Sequence, residues 1–141
     1  VTMASLEEDR IKSAGNKHAE SRSILLVDDE DSIRLSTEII LTRKGFKVAS
    51  ASDGEQALEL FKANPEKYEL IVTDKSMPKL SGIELTKAVR DIPSDIPIIL
   101  STGQLGIEDE KEFNSVGITA FIQKPWTARE LIERIQALDT K

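Results

Sequence analysis

The chain contains no cysteine, and it has one histidine and one tryptophan among its 141 residues. Without cysteine, disulfide bonds, thiolate metal ligands and a thiol nucleophile are excluded. No apolar run approaches the roughly 20 residues that cross a bilayer, and the N-terminus lacks the apolar core of a signal peptide. We therefore expect a cytoplasmic location and no membrane contact by this domain.

An excess of basic residues is also missing, because the net charge is -6 and the sequence pI is about 4.9. Binding to nucleic acid phosphates needs Lys and Arg clustered on one face. Direct nucleic acid binding is therefore not expected. With 39% hydrophobic and 31% charged residues, the composition is that of a globular protein, and the length suits one domain.

Residues 1–22 differ from the rest of the chain, since their apolar positions are scattered and form no continuous face. We predict a polar tail or linker there, followed by one domain over residues 23–141. His18, the single histidine, lies in this polar segment. A solvated side chain is the expected state of such a histidine.

From Ser23 onward, short apolar runs alternate with amphipathic stretches. The apolar runs predict strands at Ile24–Val27, Phe46–Ala51, Leu70–Thr73, Ile98–Ser101 and Ala120–Ile122. The amphipathic stretches predict helices at about 31–44, 53–63, 81–91, 107–116 and 127–138. Three helices begin with a capping-box pattern, formed by Ser52 with Glu55, Ser81 with Glu84, and Thr127 with Glu130.

Five strands that alternate with five helices predict a doubly wound α/β domain with a parallel sheet, because parallel strands need crossover connections. In such sheets, functional groups gather at the carboxyl ends of the strands. The residues that follow each predicted strand are therefore the candidates for a site.

Polar side chains end four of these strands: Asp28 and Asp29, Asp74, Thr102, and Lys124. Three neighbouring carboxylates repel one another unless a cation relieves them, and Mg2+ suits such oxygen ligands. Lys124 and Thr102 supply a positive charge and a hydroxyl for a phosphoryl group. The chain has no Gly-rich phosphate loop and no histidine to act as a base, so the nucleophile would be a carboxylate.

Several motifs recur in the order of a known family: LVDDE at 26–30, Asp74-x-x-Met77-Pro78-x-x-x-Gly82, PIILSTG at 97–103, Gly117, and FIQKP at 121–125. Together they make residues 23–141 resemble a receiver domain of bacterial two-component signalling, the family of the chemotaxis response regulator. The resemblance implies a flavodoxin-like five-stranded sheet with the strand order 2-1-3-4-5.

The resemblance further implies that Asp74 accepts a phosphoryl group from a phosphohistidine of a sensor histidine kinase or histidine phosphotransfer protein. Asp28, Asp29, Asp74 and the backbone carbonyl of Ser76 would bind Mg2+, and Lys124 would contact the phosphoryl group. Such a domain is not an enzyme with an external substrate. It catalyses only its own phosphotransfer and a slow self-dephosphorylation.

Signalling in this family implies further roles. Thr102 would move to the phosphoryl group, and Phe121 would swing inward with it. Ser76 and Gln104 match the positions that tune the lifetime of the aspartyl phosphate. The expected output face for a downstream protein is helix 4, strand 5 and helix 5. The Lys124–Pro125 bond is often cis in the family.

Other interpretations remain open at this point. A haloacid-dehalogenase-type phosphatase also uses a strand-end Asp, but it carries a second Asp where this chain has Ser76. A flavin-binding protein would need a first loop without the acids at 28–30. A degenerate receiver would only bind proteins. The domain could be a stand-alone regulator or the C-terminal receiver of a hybrid sensor histidine kinase.

Overall fold

The computed structural model describes residues 23–103 and 106–139. The predicted tail at 1–22, His18 within it, and Gln104 lie outside the described residues. Five strands and five helices alternate: β1 Ser23–Val27, α1 Asp31–Arg43, β2 Val48–Ala51, α2 Gly54–Ala63, β3 Tyr68–Asp74, α3 Gly82–Arg90, β4 Ile98–Thr102, α4 Ile107–Val116, β5 Ala120–Gln123 and α5 Ala128–Asp139. A short 3-10 turn at Pro65–Lys67 precedes β3.

All strand pairs are parallel, and the sheet order is β2-β1-β3-β4-β5. This confirms the predicted flavodoxin-like, doubly wound sheet. Helices α1 and α5 cover one face, while α2, α3 and α4 cover the other. The strand order reverses between β1 and β3, so the carboxyl ends of these two strands flank the crevice where ligands bind in such folds.

The core consists of two apolar layers, one on each face of the sheet. Under α2, α3 and α4, the central side chains include Phe61, Leu85 and Phe113, all at most 1% exposed. Under α1 and α5, Leu41 and Leu131 are equally buried. Because both faces are covered, the strands read as nearly continuous apolar runs. Within the described residues, no helix is both long and apolar enough to span a bilayer.

Strand β2 is shorter than predicted, because it begins at Val48 rather than at Phe46. Gly45 adopts a left-handed conformation with φ of 100°, and the amide of Phe46 donates to the carbonyl of Leu41. This hydrogen bond ends α1, and a glycine in the left-handed conformation commonly follows the end of a helix. The buried Phe46 therefore belongs to the helix cap and not to the strand.

The predicted capping box of Ser52 with Glu55 is wrong by one residue. Asp53 is the cap of α2, and its side chain accepts a hydrogen bond of 2.8 Å from the amide of Gln56. The Gln56 side chain in turn accepts from the amide of Ser52 at 2.8 Å. Aspartate caps at least as well as serine, so the sequence alone offered two neighbouring starts.

The other two capping boxes are confirmed. The Ser81 hydroxyl accepts from the amide of Glu84, and the Glu84 carboxylate accepts from the amide of Ser81. Thr127 and Glu130 make the same reciprocal pair at the start of α5. These caps fix where α3 and α5 begin, and both helices follow loops that carry candidate site residues.

Candidate functional site

Three carboxylates meet at the carboxyl edge of the sheet. Asp28 follows β1, and Asp74 is the last residue of β3, the neighbouring strand. One oxygen each of Asp28, Asp29 and Asp74 lies within 4.8 Å of the other two. Asp28 and Asp74 are 5% and 7% exposed, whereas Asp29 is open to solvent. The structure therefore brings the three predicted acids together.

Asp28 is held by its local surroundings. Its carboxylate accepts a hydrogen bond of 2.9 Å from the amide of Glu30, and its carbonyl accepts one of 2.8 Å from the guanidinium of Arg34. Glu30, and not Asp28, occupies the cap position of α1. Burial is the main cause that raises the pKa of Asp28, and the negative charges of Asp74 and Asp29 add to it, against the opposing effects of Glu30 and Lys124.

The raised pKa of Asp28 predicts how the metal-free protein responds to pH. The folded state binds a proton at Asp28 more tightly than the unfolded state does, so stability falls as pH rises. The window runs from about pH 4, the ordinary carboxyl value, up through the raised pKa of the folded state. Thermal unfolding in EDTA should show this slope, and Asp28→Asn should flatten it. A slope unchanged by Asp28→Asn would contradict the prediction.

Lys124 lies in the same cluster, since its ammonium is 3.1 Å from a carboxylate oxygen of Asp74. Partial burial lowers the pKa of Lys124, but the hydrogen bond to Asp74 and the charges of Asp74, Asp28 and Glu30 outweigh it and raise the pKa overall. The amide of Lys124 donates to the carbonyl of Thr102 at 2.8 Å. The bond between Lys124 and Pro125 is cis, as the resemblance implied.

Thr102 ends β4 and is 3% exposed. Its neighbour Ser101 is the register partner of Asp74 in β3, so Thr102 lies at the same edge as the acids. Phe121, in β5, is half-buried, and its ring lies 5.6 Å from the ring of Phe113 in α4. Thr102 therefore lies at the edge of the sheet that carries the acids, while Phe121 contacts α4, part of the expected output face.

The loop after Asp74 is shaped by backbone contacts. The amide of Lys75 donates to the carbonyl of Ser101, and the carbonyl of Lys75 accepts from the amide of Gly82, both at 2.8 Å. A Cβ at Gly82 would collide with the carbonyl oxygen of Asp74. Only glycine permits α3 to start so close to Asp74. Ser76 is exposed within this loop.

Two contacts at the site were missed from the sequence. The Lys75 ammonium lies 5.5 Å from the centre of the Phe113 ring, a cation–π contact between the loop and α4. Arg34, in α1, donates a hydrogen bond to the carbonyl of Asp28 in the β1–α1 loop and forms an ion pair of 2.7 Å with Asp31. No sequence pattern signals the first contact, because its partners are far apart in the chain. The second has a weak signal in the helical spacing of Asp31 and Arg34.

The donor atoms at this edge fit Mg2+. They are carboxylate oxygens, which hard divalent cations prefer, and Asp29 keeps one side of the cluster open to water. Burial is the main cause of the raised pKa of Asp28, and repulsion by Asp74 and Asp29 adds to it. A bound cation would relieve that repulsion. Asp28, Asp29 and Asp74 are the residues that would hold the ion.

A parallel doubly wound domain with an acid cluster and a lysine at its carboxyl edge is the arrangement that the resemblance to receiver domains implies. The family model described as "Response regulator receiver domain" matches residues 24–136. The chain belongs to this family. Receiver domains are signalling domains, and they generally bind Mg2+ at an acidic pocket.

Curated relatives are named as transcriptional regulators. The alkaline phosphatase synthesis transcriptional regulatory protein PhoP of Bacillus subtilis is 39% identical over 123 residues, and the match covers 84% of this chain and 48% of PhoP. The probable transcriptional regulator ycf27 of Cyanidium caldarium is 36% identical over 129 residues, covering 92% of this chain and 50% of the relative. The chain thus spans about half the length of these relatives.

Solved structures of similar fold include other receivers. The receiver domain of Francisella response regulator 1452 has a TM-score of 0.78 and 31% identity, covering 85% of this chain and 99% of that one. The chemotaxis protein CheY4 of Vibrio cholerae has a TM-score of 0.74 and 30% identity, covering 82% and 97%.

Proposed function

We propose that this receiver is activated by phosphorylation of Asp74. The observation that carries the proposal is the ammonium of Lys124, 3.1 Å from an oxygen of Asp74, beside two further acids within 4.8 Å. Burying a carboxylate beside two others is unfavourable, so an acid that only ended a strand would gain nothing from this position. A carboxylate that binds a cation and attacks a phosphoryl group needs this position.

In the proposed transfer, a carboxylate oxygen of Asp74 attacks the phosphorus of a phosphohistidine in a sensor histidine kinase or histidine phosphotransfer protein. The oxygen–phosphorus bond forms as the phosphorus–nitrogen bond breaks, and its electron pair returns to the imidazole. Lys124 holds its positive charge against the phosphoryl oxygens. Most catalysis of phosphoryl transfer comes from such positioning and charge.

The proposed Mg2+ ligands are Asp28, Asp29, Asp74 and the backbone carbonyl of Ser76. When bound, the cation neutralises charge on the phosphoryl oxygens. The amide of Glu30 donates to the carboxylate of Asp28, and Arg34 donates to its backbone carbonyl, and both bonds hold this residue at the edge of the sheet. The shape of the loop at Ser76 depends on the backbone bonds of Lys75 described above.

Phosphorylation is proposed to shift the domain between two states. The Thr102 hydroxyl would bind the phosphoryl group, and Phe121 would follow and repack against α4. A downstream protein would then recognise α4, β5 and α5. The contact between Phe121 and Phe113 supports this route, because it joins β5 to α4. Nucleic acid would be reached only through another protein or domain, and the site of action would be the cytoplasm.

Ser76 and Gln104 are proposed to set the phosphate lifetime. Ser76 has neither a carboxylate nor an amide to align water, so we expect a long-lived aspartyl phosphate. Gln104 lies outside the described residues. The serine also disfavours a haloacid-dehalogenase-type phosphatase, whose acid/base aspartate would stand at this position.

Uptake of a phosphoryl group from acetyl phosphate tests the proposal. Intact-mass spectrometry should detect one phosphoryl group per chain in Mg2+ and none in excess EDTA, because the acids repel the donor without a cation. Absence of uptake, together with absence of beryllofluoride binding in Mg2+, would instead favour a degenerate receiver. Turnover of a phosphomonoester would favour the phosphatase.

A further inference from the structure

Trp126, the one tryptophan of the chain, makes a hydrogen bond that the proposed function does not use. Its indole N–H donates to the hydroxyl of Ser101 across a distance of 2.8 Å. Ser101 is 3% exposed, so this hydroxyl has little access to water. The half-buried indole packs against the apolar layer under α1 and α5. A hydrogen bond in such a place is costly to leave unmade.

The two partners lie in β4 and after β5, on the same side of β3 and its Asp74. Ser101 is the register partner of Asp74, and its carbonyl accepts the amide of Lys75. Trp126 is two residues after Lys124, in the loop that joins β5 to α5. The hydrogen bond therefore ties the loop that carries the ammonium to the strand beside the carboxylate.

The loop between β5 and α5 is held at several points. The amide of Lys124 donates to the carbonyl of Thr102, and the reciprocal cap of Thr127 with Glu130 fixes the start of α5. Between these anchors, the indole of Trp126 joins the middle of the loop to β4. The side chain of Lys124 is long and flexible, so its ammonium stays at Asp74 only if the backbone of the β5–α5 loop keeps its position.

We infer that Trp126 is a positioning residue for phosphoryl transfer, whose hydrogen bond to Ser101 keeps the ammonium of Lys124 at Asp74. The inference rests on the proposed function of Asp74. Trp126 donates its hydrogen bond to Ser101 and not to an acid of the cluster, so it would act through the loop. Catalysis by charge is sensitive to such placement, since small displacements of a charged group weaken its effect on the transition state.

Two conservative variants test the hydrogen bond. Trp126→Phe keeps an aromatic ring and removes the N–H, and Ser101→Ala removes the acceptor. Each should slow phosphorylation by acetyl phosphate about two- to tenfold, the range that corresponds to one hydrogen bond. The double variant should be no slower than the slower single variant, because both changes break the same bond.

Thr127→Ala is the matched control. It removes the hydroxyl that accepts from the amide of Glu130 at 3.1 Å, so it weakens the same loop end and lowers the melting temperature. It leaves Trp126 and Ser101 intact, and its phosphorylation rate should equal that of the wild type. An equal slowing by Thr127→Ala would assign the effect to general loosening and overturn the inference. Unchanged phosphorylation rates in the Trp126→Phe and Ser101→Ala variants, or losses that add in the double variant, would also overturn the inference.

Acylation of lysines, read by peptide mass spectrometry, provides a second measurement that needs no phosphorylation. An ammonium held against a carboxylate reacts slowly, so Lys124 should be protected relative to the exposed Lys111. Trp126→Phe and Ser101→Ala should each accelerate acylation of Lys124, and Thr127→Ala should not. If the wild type takes up no phosphoryl group, the proposed function fails, and acylation still decides whether Trp126 positions Lys124.

Discussion

Asp74→Asn should abolish phosphoryl uptake from acetyl phosphate in Mg2+, with no phosphorylated chain detected by intact-mass spectrometry. The loss is expected to be complete, because an amide oxygen is a poor nucleophile and the change removes the acceptor itself. The substitution keeps the shape of the side chain beside Lys124. The variant should therefore remain folded, and its loss of phosphoryl uptake should not be a consequence of lower stability.

Asp53→Asn is the matched control for this prediction. Asp53 lies at the same edge of the sheet, after β2, and caps α2. Asparagine caps a helix as well as aspartate does, and the ion pair of Asp53 with the exposed Lys79 is long, at 3.7 Å. Its uptake should match that of the wild type. Phosphorylation of the Asp74→Asn protein would show that another acid of the cluster is the acceptor.

Asp28→Asn should weaken Mg2+ binding at least about tenfold, because a direct carboxylate ligand contributes no less than the outer-shell groups whose loss costs that much. The same variant should be more stable than the wild type in EDTA, since it removes a buried charge that repels Asp74 and Asp29. Melting curves with and without Mg2+ measure both effects. The order of stability of the two proteins is expected to reverse on addition of Mg2+.

Asp31→Asn is the control that separates the loss of Mg2+ binding from a general loss of negative charge. Asp31 begins α1, next to the same loop, and its side chain is 78% exposed in its ion pair with Arg34. It lies outside the acid cluster, so the stabilisation by Mg2+ should persist in this variant. An Mg2+ affinity that Asp28→Asn leaves unchanged would remove Asp28 from the proposed ligands.

Much of the fold was predictable because its signals are local. The alternation of apolar runs and amphipathic stretches gave the correct order of elements, and α4 was predicted with its observed bounds. Reciprocal caps at Ser81 and Thr127 placed two helix starts correctly. Errors fell where two local solutions compete, as at Ser52 and Asp53, and where a glycine redirects the chain before β2. Strand β3 also begins earlier than predicted, at Tyr68 rather than at Leu70.

The proximity of the site residues was predictable for the same reason. Parallel strands end at one edge, so acids after β1 and β3 must approach one another once the topology is known. Asp28, Asp29, Asp74 and Lys124 follow from this rule, and the structure places them together. Their roles in phosphoryl transfer, and those of Thr102 and Phe121, remain proposals for the experiments above.

The sequence by itself determined the strand and helix order, the family, and the set of acids and the lysine at one edge, because these depend on periodicity and short motifs. Only the tertiary structure decided which side chains touch across the fold. The hydrogen bond of Trp126 to Ser101 and the contact of Lys75 with Phe113 join residues that no local pattern relates. Such contacts arise from the packing of whole elements, and that packing is a property of the folded chain.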